Sequence, residues 1–272
     1  MPEYARILTN HEEMEELTDL IRMNGTGTDG QKKDLVEDTI LYFEDGEVNV
    51  KAFDPMASIW LNIQGPFEGI RNDGSLVIGN IVEFIDYIER FGDRVIVTIE
   101  EQAGAYNITF TDEERKDGAI SAKDEALINS VQDVEALPFS YNPETDDYPG
   151  SEENGIFLDT WFACDVDDIK DVIKDGDTTG IRKYPIEADN GHVTIRVGEE
   201  DGWIETSFDA DGGEGQARSV YAYGVDNIFN NLSGKVEFYF MDEGVSWIHQ
   251  SAEDGDTDYQ IDYMMAEDEE GV

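Results

Sequence analysis

Three stretches of this chain set out side chains in patterns close to known chemistry, and each lacks a necessary group. Gly25-Thr-Gly-Thr-Asp-Gly30 has the glycine spacing of a loop that wraps phosphate oxygens in backbone N–H groups. Such a loop needs a lysine next, to reach the outer phosphates, and then a hydroxyl for a magnesium ion. Gln31 takes the lysine position and Lys32 and Lys33 follow, so the stretch reads as a polar surface loop. Asp175-Gly-Asp-Thr-Thr-Gly180 opens like a calcium loop, which must close with a bidentate glutamate at its twelfth position. That position holds Ile186. Asp209-Ala-Asp-Gly-Gly fails in the same way, with Ala217 and Val220 near the place of the closing acid.

The other reactive side chains are scattered. His11, His192 and His249 stand far apart in unlike surroundings, which argues against a built metal centre. A single cysteine, Cys164, excludes an intramolecular disulfide and a multi-cysteine zinc site, and reads as a small core residue. No Gly-x-Ser-x-Gly elbow is present. Carboxylates are so abundant that two at any useful spacing are expected by chance. The residues therefore assign no catalytic group, no metal ligand and no cofactor. The acidic turns imply loosely held monovalent or divalent cations and nothing more specific.

That abundance is itself informative. The chain has 64 Asp and Glu against 18 Lys and Arg, a formal net charge of −46 over 272 residues. Self-repulsion on that scale opposes compaction at ordinary salt. At molar salt the Debye length falls to about 3 Å and the repulsion largely vanishes. The charge thus points to a cytoplasm full of salt, as in an extreme halophile, and reports habitat rather than partner. Disorder is the rival account, but 39% hydrophobic and 11% aromatic residues can build a core. The first 25 residues lack a basic start with an apolar run, and no stretch of 18 or more apolar residues occurs. The expectation is a soluble, cytoplasmic protein.

The elements that must carry any function come in two copies. With a shift of 145 positions, Val48 lies on Val193, Val50 on Ile195, Ala52 on Val197, Ile59 on Ile204 and Ile63 on Phe208. Each copy is an acidic turn, an alternating strand, a polar turn and a second strand. The shift also places Gly79 on Gly224, each before a helical rhythm: Ile81, Phe84, Ile85 and Ile88 over 80–91, and Val225, Ile228, Phe229 and Leu232 over 225–232. Gly92 and Gly234 stand where helices commonly stop. Strands follow at Val95–Glu100 and Tyr106–Phe110, and again at Val236–Phe240 and Val245–Gln250. Each half begins with a helix candidate, residues 11–23 with Met14, Leu17, Leu20 and Ile21 on one face, and 165–174 with Val166, Ile169, Val172 and Ile173. The domains expected are 1–136 and 155–266, joined by a proline-bearing acidic connector at 137–154 and followed by an acidic tail at 267–272.

This architecture resembles the sliding clamps of the proliferating cell nuclear antigen (PCNA) type. Ile40–Pro55 resembles the family stretch that ends in an Ala-Met-Asp-Pro/Ser turn, with Ala52, Asp54 and Pro55 in place. Ala217-Arg-Ser-Val-Tyr221 resembles the strand before the last clamp helix. Tyr259–Ala266 resembles the final strand and the Tyr-x-Leu-Ala-Pro that follows it. There are departures. Glu267-Asp268-Glu269 replaces the usual Pro-Lys/Arg-Ile, Asp112–Val134 is longer than the corresponding family region, and the helices are poor in lysine. They imply a divergent clamp from a halophilic archaeon, its virus or a plasmid.

The resemblance implies an α+β fold of two tandem clamp domains, with β-sheets outside and helices inside. Three subunits would close a pseudo-six-fold ring. It implies a non-enzymatic processivity factor that encircles double-stranded DNA without reading sequence. Its partners would be a DNA polymerase, a clamp loader and other proteins with clamp-binding peptides. By family position, Arg22, Arg90, Lys170 and Lys174 would face DNA. Phe139, Tyr141, Met264 and Met265 would line the partner-peptide groove. Two alternatives stand beside it: a clamp homologue or decoy that cannot close a ring, and an unrelated acidic halophilic enzyme.

Overall fold

The structure, a computed structural model, describes residues 4–23, 25–26, 32–54, 59–91, 94–102, 105–112, 117–122, 158–179, 183–199, 202–221, 224–242 and 244–265. The expected connector (137–154) and tail (267–272) lie outside these residues. The chain divides into two compact units, Met1–Met23 with Asp34–Phe53 and Leu61–Val134, and Asn24–Lys33 with Asp54–Trp60 and Glu135–Val272.

The elements follow in chain order. A first series is β1 (Arg6–Thr9), α1 (His11–Arg22), β2 (Gly25–Thr26), β3 (Lys32–Lys33), β4 (Thr39–Glu44), β5 (Glu47–Phe53), β6 (Ile59–Pro66), β7 (Ile70–Asn72), β8 (Gly74–Ile78), α2 (Ile81–Glu89), β9 (Val95–Gln102), β10 (Ala105–Asp112) and β11 (Asp117–Ser121). A second is β12 (Thr160–Asp165), α3 (Val166–Thr179), β13 (Tyr184–Asp189), β14 (His192–Glu199), β15 (Gly202–Asp209), β16 (Asp211–Glu214), β17 (Gln216–Tyr221), α4 (Val225–Asn231), β18 (Lys235–Phe240), β19 (Ser246–Gln250) and β20 (Gln260–Met265).

The second series retraces the first. Strands β7-β1-β9-β10-β11 lie side by side in that order, and so do β16-β12-β18-β19-β20. Strands β8-β4-β5-β6 correspond to β17-β13-β14-β15. Among the described residues only the small β2–β3 ladder has no counterpart. The repeat reaches the turns. Asp45 and Gly46 join β4 to β5 with φ of 52° and 89°, and Asn190 and Gly191 join β13 to β14 with 48° and 86°. Two left-handed residues in a two-residue turn match the twist of the strands they join, which is why Asp-Gly and Asn-Gly serve here.

The helices form where the apolar rhythm predicts. Ile81, Phe84, Ile85 and Ile88 of α2 are buried, as are Met14, Leu17, Leu20 and Ile21 of α1. Each such side chain contributes about 1.5–3 kcal/mol on leaving water. The Asn10 and Asn80 carboxamide oxygens accept from the N–H groups of Glu13 and Glu83, both at 2.9 Å, and so cap the two helices. In the second unit Val166, Ile169, Val172 and Ile173 of α3 are buried, as are Phe162, Phe238, Ile248 and Tyr263, with the Phe162 and Phe238 rings stacked at 5.2 Å.

Two details differ from the sequence reading. Each series opens on a strand, β1 or β12, before its helix. Helix α4 ends at Asn231, with Leu232 extended as its cap, so Gly234 (φ 64°) stands beyond the helix rather than closing it. Gly92 lies outside the described residues.

Candidate partner and nucleic-acid surfaces

The four expected DNA-facing bases occupy helices or helix ends, in unlike surroundings. Arg22, in the last turn of α1, donates from Nε to Asp34 at 2.9 Å and from an Nη to Asp19 at 3.0 Å. Lys170, on α3, donates from Nζ to the Leu232 carbonyl at 2.6 Å. Arg90 caps α2 and holds its guanidinium 4.8 Å from the centre of the Tyr87 ring. Lys174 is exposed on α3.

A second surface is written in the strand register. On the core face of the second unit, Phe162, Phe238, Ile248 and Tyr263 lie across from one another on β12, β18, β19 and β20. One residue along, on the opposite face, the row is Trp161, Tyr239, Trp247 and Met264. Trp161 and Tyr239 stack at 6.0 Å, and Tyr239 and Trp247 meet at 4.8 Å. Half-buried Trp60, Leu158 and Trp161 pack against the buried Tyr239, Trp247 and Met264. Trp60 arrives from a tight neck. The Asp54 carboxylate, fully buried, accepts from the Ile59 N–H at 2.6 Å, and the Asp54 N–H donates to the Ile59 carbonyl at 3.1 Å.

The first unit supplies an internal comparison. Its row in the same register is Arg6, Thr98, Thr109 and Ala119 on β1, β9, β10 and β11. The frame is shared, but the aromatic and thioether groups appear only in the second copy. In the second copy this face is covered: Tyr239, Trp247 and Met264 are buried, and Trp161 stands half-buried at the margin of their cluster.

Beside the aromatic row runs a polar one, Glu237, His249 and Asp262. His249 Nδ1 lies 2.6 Å from an Asp262 oxygen, and the Tyr239 hydroxyl donates to Glu237 at 2.8 Å. Of the expected groove residues, Met264 lies in the aromatic row. Met265, the next residue, is opposite Ser246 and buried. Phe139 and Tyr141 lie outside the described residues. The aromatic row was invisible in the sequence because Tyr239-Phe240, Trp247-Ile248 and Met264-Met265 are apolar on both faces.

The reactive side chains stay apart. His11 faces Glu15 at 3.5 Å, His192 faces Asp209 at 2.8 Å, and His249 faces Asp262, each on its own element. Among the described residues no three His, Cys, Asp or Glu side chains converge as a metal site would require. Asp175–Thr179 form the last turns of α3 rather than a loop. Cys164 is buried, and burial is the main force pushing its thiol up to about 12. A 460 Å³ concavity over β4–β6 is lined by Tyr42, Glu44, Asp45, Glu47 and Lys51, among others, and brings no histidine, serine or cysteine together. No described helix is long and apolar enough to cross a membrane.

Strand β15 is an open edge of its sheet. It exposes Trp203 (52%) and Ile204 (37%), large apolar groups on a strand whose ladder is unpaired on one side among the described residues. The Arg196 guanidinium lies 4.5 Å from the Trp203 ring centre and donates twice to Glu205, at 3.0 and 2.7 Å.

No protein-family model matches the chain, and no curated protein matches its sequence. Solved structures do match. The PCNA of A. fulgidus, solved with the C-terminal region of FEN-1 bound, aligns with TM-score 0.65 and 13% identity over 98% of this chain and all of its own. A chain of the PCNA2–PCNA3 complex from Sulfolobus tokodaii aligns with TM-score 0.60 and 12% identity, covering 96% of this chain and 98% of its own. The proliferating cellular nuclear antigen of Entamoeba histolytica gives 0.63 and 9%, over 98% and 100%. At these identities the likeness is one of fold: two tandem α+β domains of the PCNA sliding-clamp type.

Proposed function

We propose that the chain is a DNA sliding clamp, a non-catalytic ring subunit that encircles duplex DNA and tethers replication and repair proteins to it. The aromatic row of the second unit carries this reading. A duplicated frame whose outer face turns aromatic in one copy is a scaffold with a seat. That seat suits a partner's short helical turn plus extended peptide. The PCNA of A. fulgidus, solved with a FEN-1 tail bound, supports a peptide partner of this kind. The polymerase, the loader and nucleases are the partner classes. Tethering raises local concentration and hence processivity.

Ring closure rests on the open edges. An exposed strand bearing Trp203 and Ile204 invites pairing with a neighbouring chain. In a homotrimer β15 of one subunit takes an open edge of the next, such as β11. Arg22, Arg90, Lys170 and Lys174 remain the proposed helix-borne DNA contacts, with Phe139, Tyr141, Met264 and Met265 at the groove. The charge of −46 suits a high-salt cytoplasm, where loosely held cations screen the acids from the phosphates.

Light scattering after gel filtration in about 2–3 M KCl, where charge repulsion is screened, tests the ring. A species near three times 30.6 kDa is expected, and a monomer at all concentrations would sink it in favour of a clamp homologue that cannot close. Polymerase extension on primed circular DNA with a loader tests the function. Product length should rise when the protein is added.

A further inference from the structure

The outer face of the β14–β15 hairpin is closed one polar pair at a time. His192 Nδ1 lies 2.8 Å from an Asp209 oxygen, the Thr194 and Ser207 hydroxyls lie 2.9 Å apart, and the Arg196 guanidinium donates twice to Glu205, at 3.0 and 2.7 Å. The members of each pair are directly opposite in the strand register. Val193, Ile195 and Val197, which alternate with them along β14, are buried on the core face. Glu205 and Asp209 are the only acids on β15, and each has a base across from it on β14.

The first unit lacks this balance. With the shift of 145 positions, Glu44 lies on Asp189 and Glu47 on His192. Glu44 and Glu47 are directly opposite each other across β4 and β5, whereas Asp189 is opposite His192. Like charges so placed oppose strand pairing, yet the first hairpin forms with them. Balance is therefore not a condition for this element of the fold. With 18 Lys and Arg against 64 acids, cations are scarce, and their placement opposite both acids of β15 has its cause outside the hairpin.

The open edge supplies that cause. The ladder of β15 is unpaired on its far side among the described residues, and Trp203 stands exposed on it. The Arg196 guanidinium lies 4.5 Å from the Trp203 ring centre, so one cation both offsets Glu205 and holds an indole at the edge. A basic partner is drawn by bare carboxylates, and an edge suited to one would keep them bare. Offsetting them favours a partner that is itself acidic. A second copy of the chain, with its own net charge of −46, is such a partner. Strand β11, the edge proposed above to meet β15, carries an exposed Asp117. Brought beside uncancelled acids, that carboxylate would set like charges next to each other across the new pair of strands.

We propose that Arg196 opens this edge to self-association: by offsetting Glu205 and holding Trp203 in place, it lets an equally acidic copy of the chain pair along β15. The proposal rests on the clamp reading, in which β15 is a ring edge. Because the effect is one of charge, it fades as salt screens it, the Debye length being about 3 Å at 1 M.

Sedimentation velocity of the full chain across a KCl series reads self-association directly, with near-UV circular dichroism to confirm folding. Arg196→Gln and Glu205→Gln break the same ion pair and leave opposite charges behind. Arg196→Gln should weaken association about ten-fold at the lowest KCl in which the wild type stays folded, and by less as KCl rises toward about 3 M. Glu205→Gln should associate at least as tightly as the wild type, and the double variant should return to within about three-fold of it. Lys235→Gln, which removes the same charge from the pair with Asp211 on β16, should leave association unchanged. A purely structural role for the pair would weaken both single variants alike, and general repulsion would weaken Arg196→Gln and Lys235→Gln alike. Either result overturns the proposal, as does an Arg196→Gln chain that assembles like the wild type. A wild-type chain that stays monomeric at every KCl concentration overturns the clamp reading itself, an outcome distinct from a ring that closes without needing Arg196.

Discussion

The Lys170 ammonium donates to the Leu232 carbonyl oxygen at 2.6 Å, fastening the middle of α3 to the C-terminal end of α4. The last carbonyls of a helix have no partner within it and carry partial negative charge, so a cation there satisfies both the hydrogen bond and the dipole. Lys170→Met keeps most of the aliphatic stem and removes the donor. The expected loss is about 1–2 kcal/mol, a fall of a few degrees in Tm for a protein of this size. Calorimetry in high KCl measures it. An unchanged Tm would show that this contact contributes nothing to stability.

Two glycines with nearly the same backbone angle should respond differently to alanine. Gly46 has φ of +89°, and a methyl group there meets nothing within 4 Å. Gly215 has φ of +86°, and a methyl group placed there would clash with the Asp159 carbonyl oxygen. Gly46→Ala should therefore cost only the left-handed penalty, about 1–2 kcal/mol. Gly215→Ala adds a backbone clash and should cost about 3 kcal/mol or more. Denaturant midpoints of the two variants side by side are the test, and equal losses would refute the steric argument.

Cys164 makes stability depend on alkaline pH. Burial, helped by Asp168, Asp165 and Asp211, pushes the thiol from 9.0 up to about 12. The folded protein keeps this proton over a range in which the unfolded chain has released it. More protons are then bound in the native state, so stability falls as pH rises from 9.0 toward about 12, by about 1.4 kcal/mol per unit for one such group. Burial raises Tyr263 as well and acts in the same direction. Cys164→Ala should lose stability less steeply than the wild type over this range. Parallel decline of the two proteins would count against the thiol as a source of the slope.

Partner binding should depend on one copy of the repeat only. Trp161 is half-buried at the margin of the aromatic cluster and stacks on Tyr239. Trp161→Ala should weaken binding of a peptide copying the FEN-1 C-terminal region by about ten-fold or more, the scale of an aromatic anchor. Arg6→Ala, its counterpart in register, should leave that affinity unchanged. Fluorescence anisotropy of the labelled peptide reads both, and similar losses in both variants would remove the assignment of the seat to the second unit.

Much of the frame could be read before folding was considered. The alternation of Val48 and Val50, and of Val193 and Ile195, placed β5 and β14 because one face of each is buried and the other wet. The turns Asp45-Gly46 and Asn190-Gly191, alike in their positive φ, came to light only in the structure. Strands β1 and β12 escaped notice because they are short and their outward positions include Leu8, Trp161 and Ala163, which blur the alternation. The surfaces were harder still. The row Trp161–Tyr239–Trp247–Met264 exists only through pairing of strands distant in sequence. The commitments of Arg22 to Asp34 and of Lys170 to Leu232 arise from tertiary contacts that no local pattern encodes.

The two registered rows also bear on stoichiometry. Arg6, Thr98, Thr109 and Ala119 are the plain counterpart of the row Trp161, Tyr239, Trp247 and Met264, which is the seat in the proposed function. On the proposed clamp reading each chain would contribute one seat, although it contributes two domains. The proposed ring would be six-fold in its frame and three-fold in its valence, with room for three clients to ride the same duplex and every second domain left as a spacer between them.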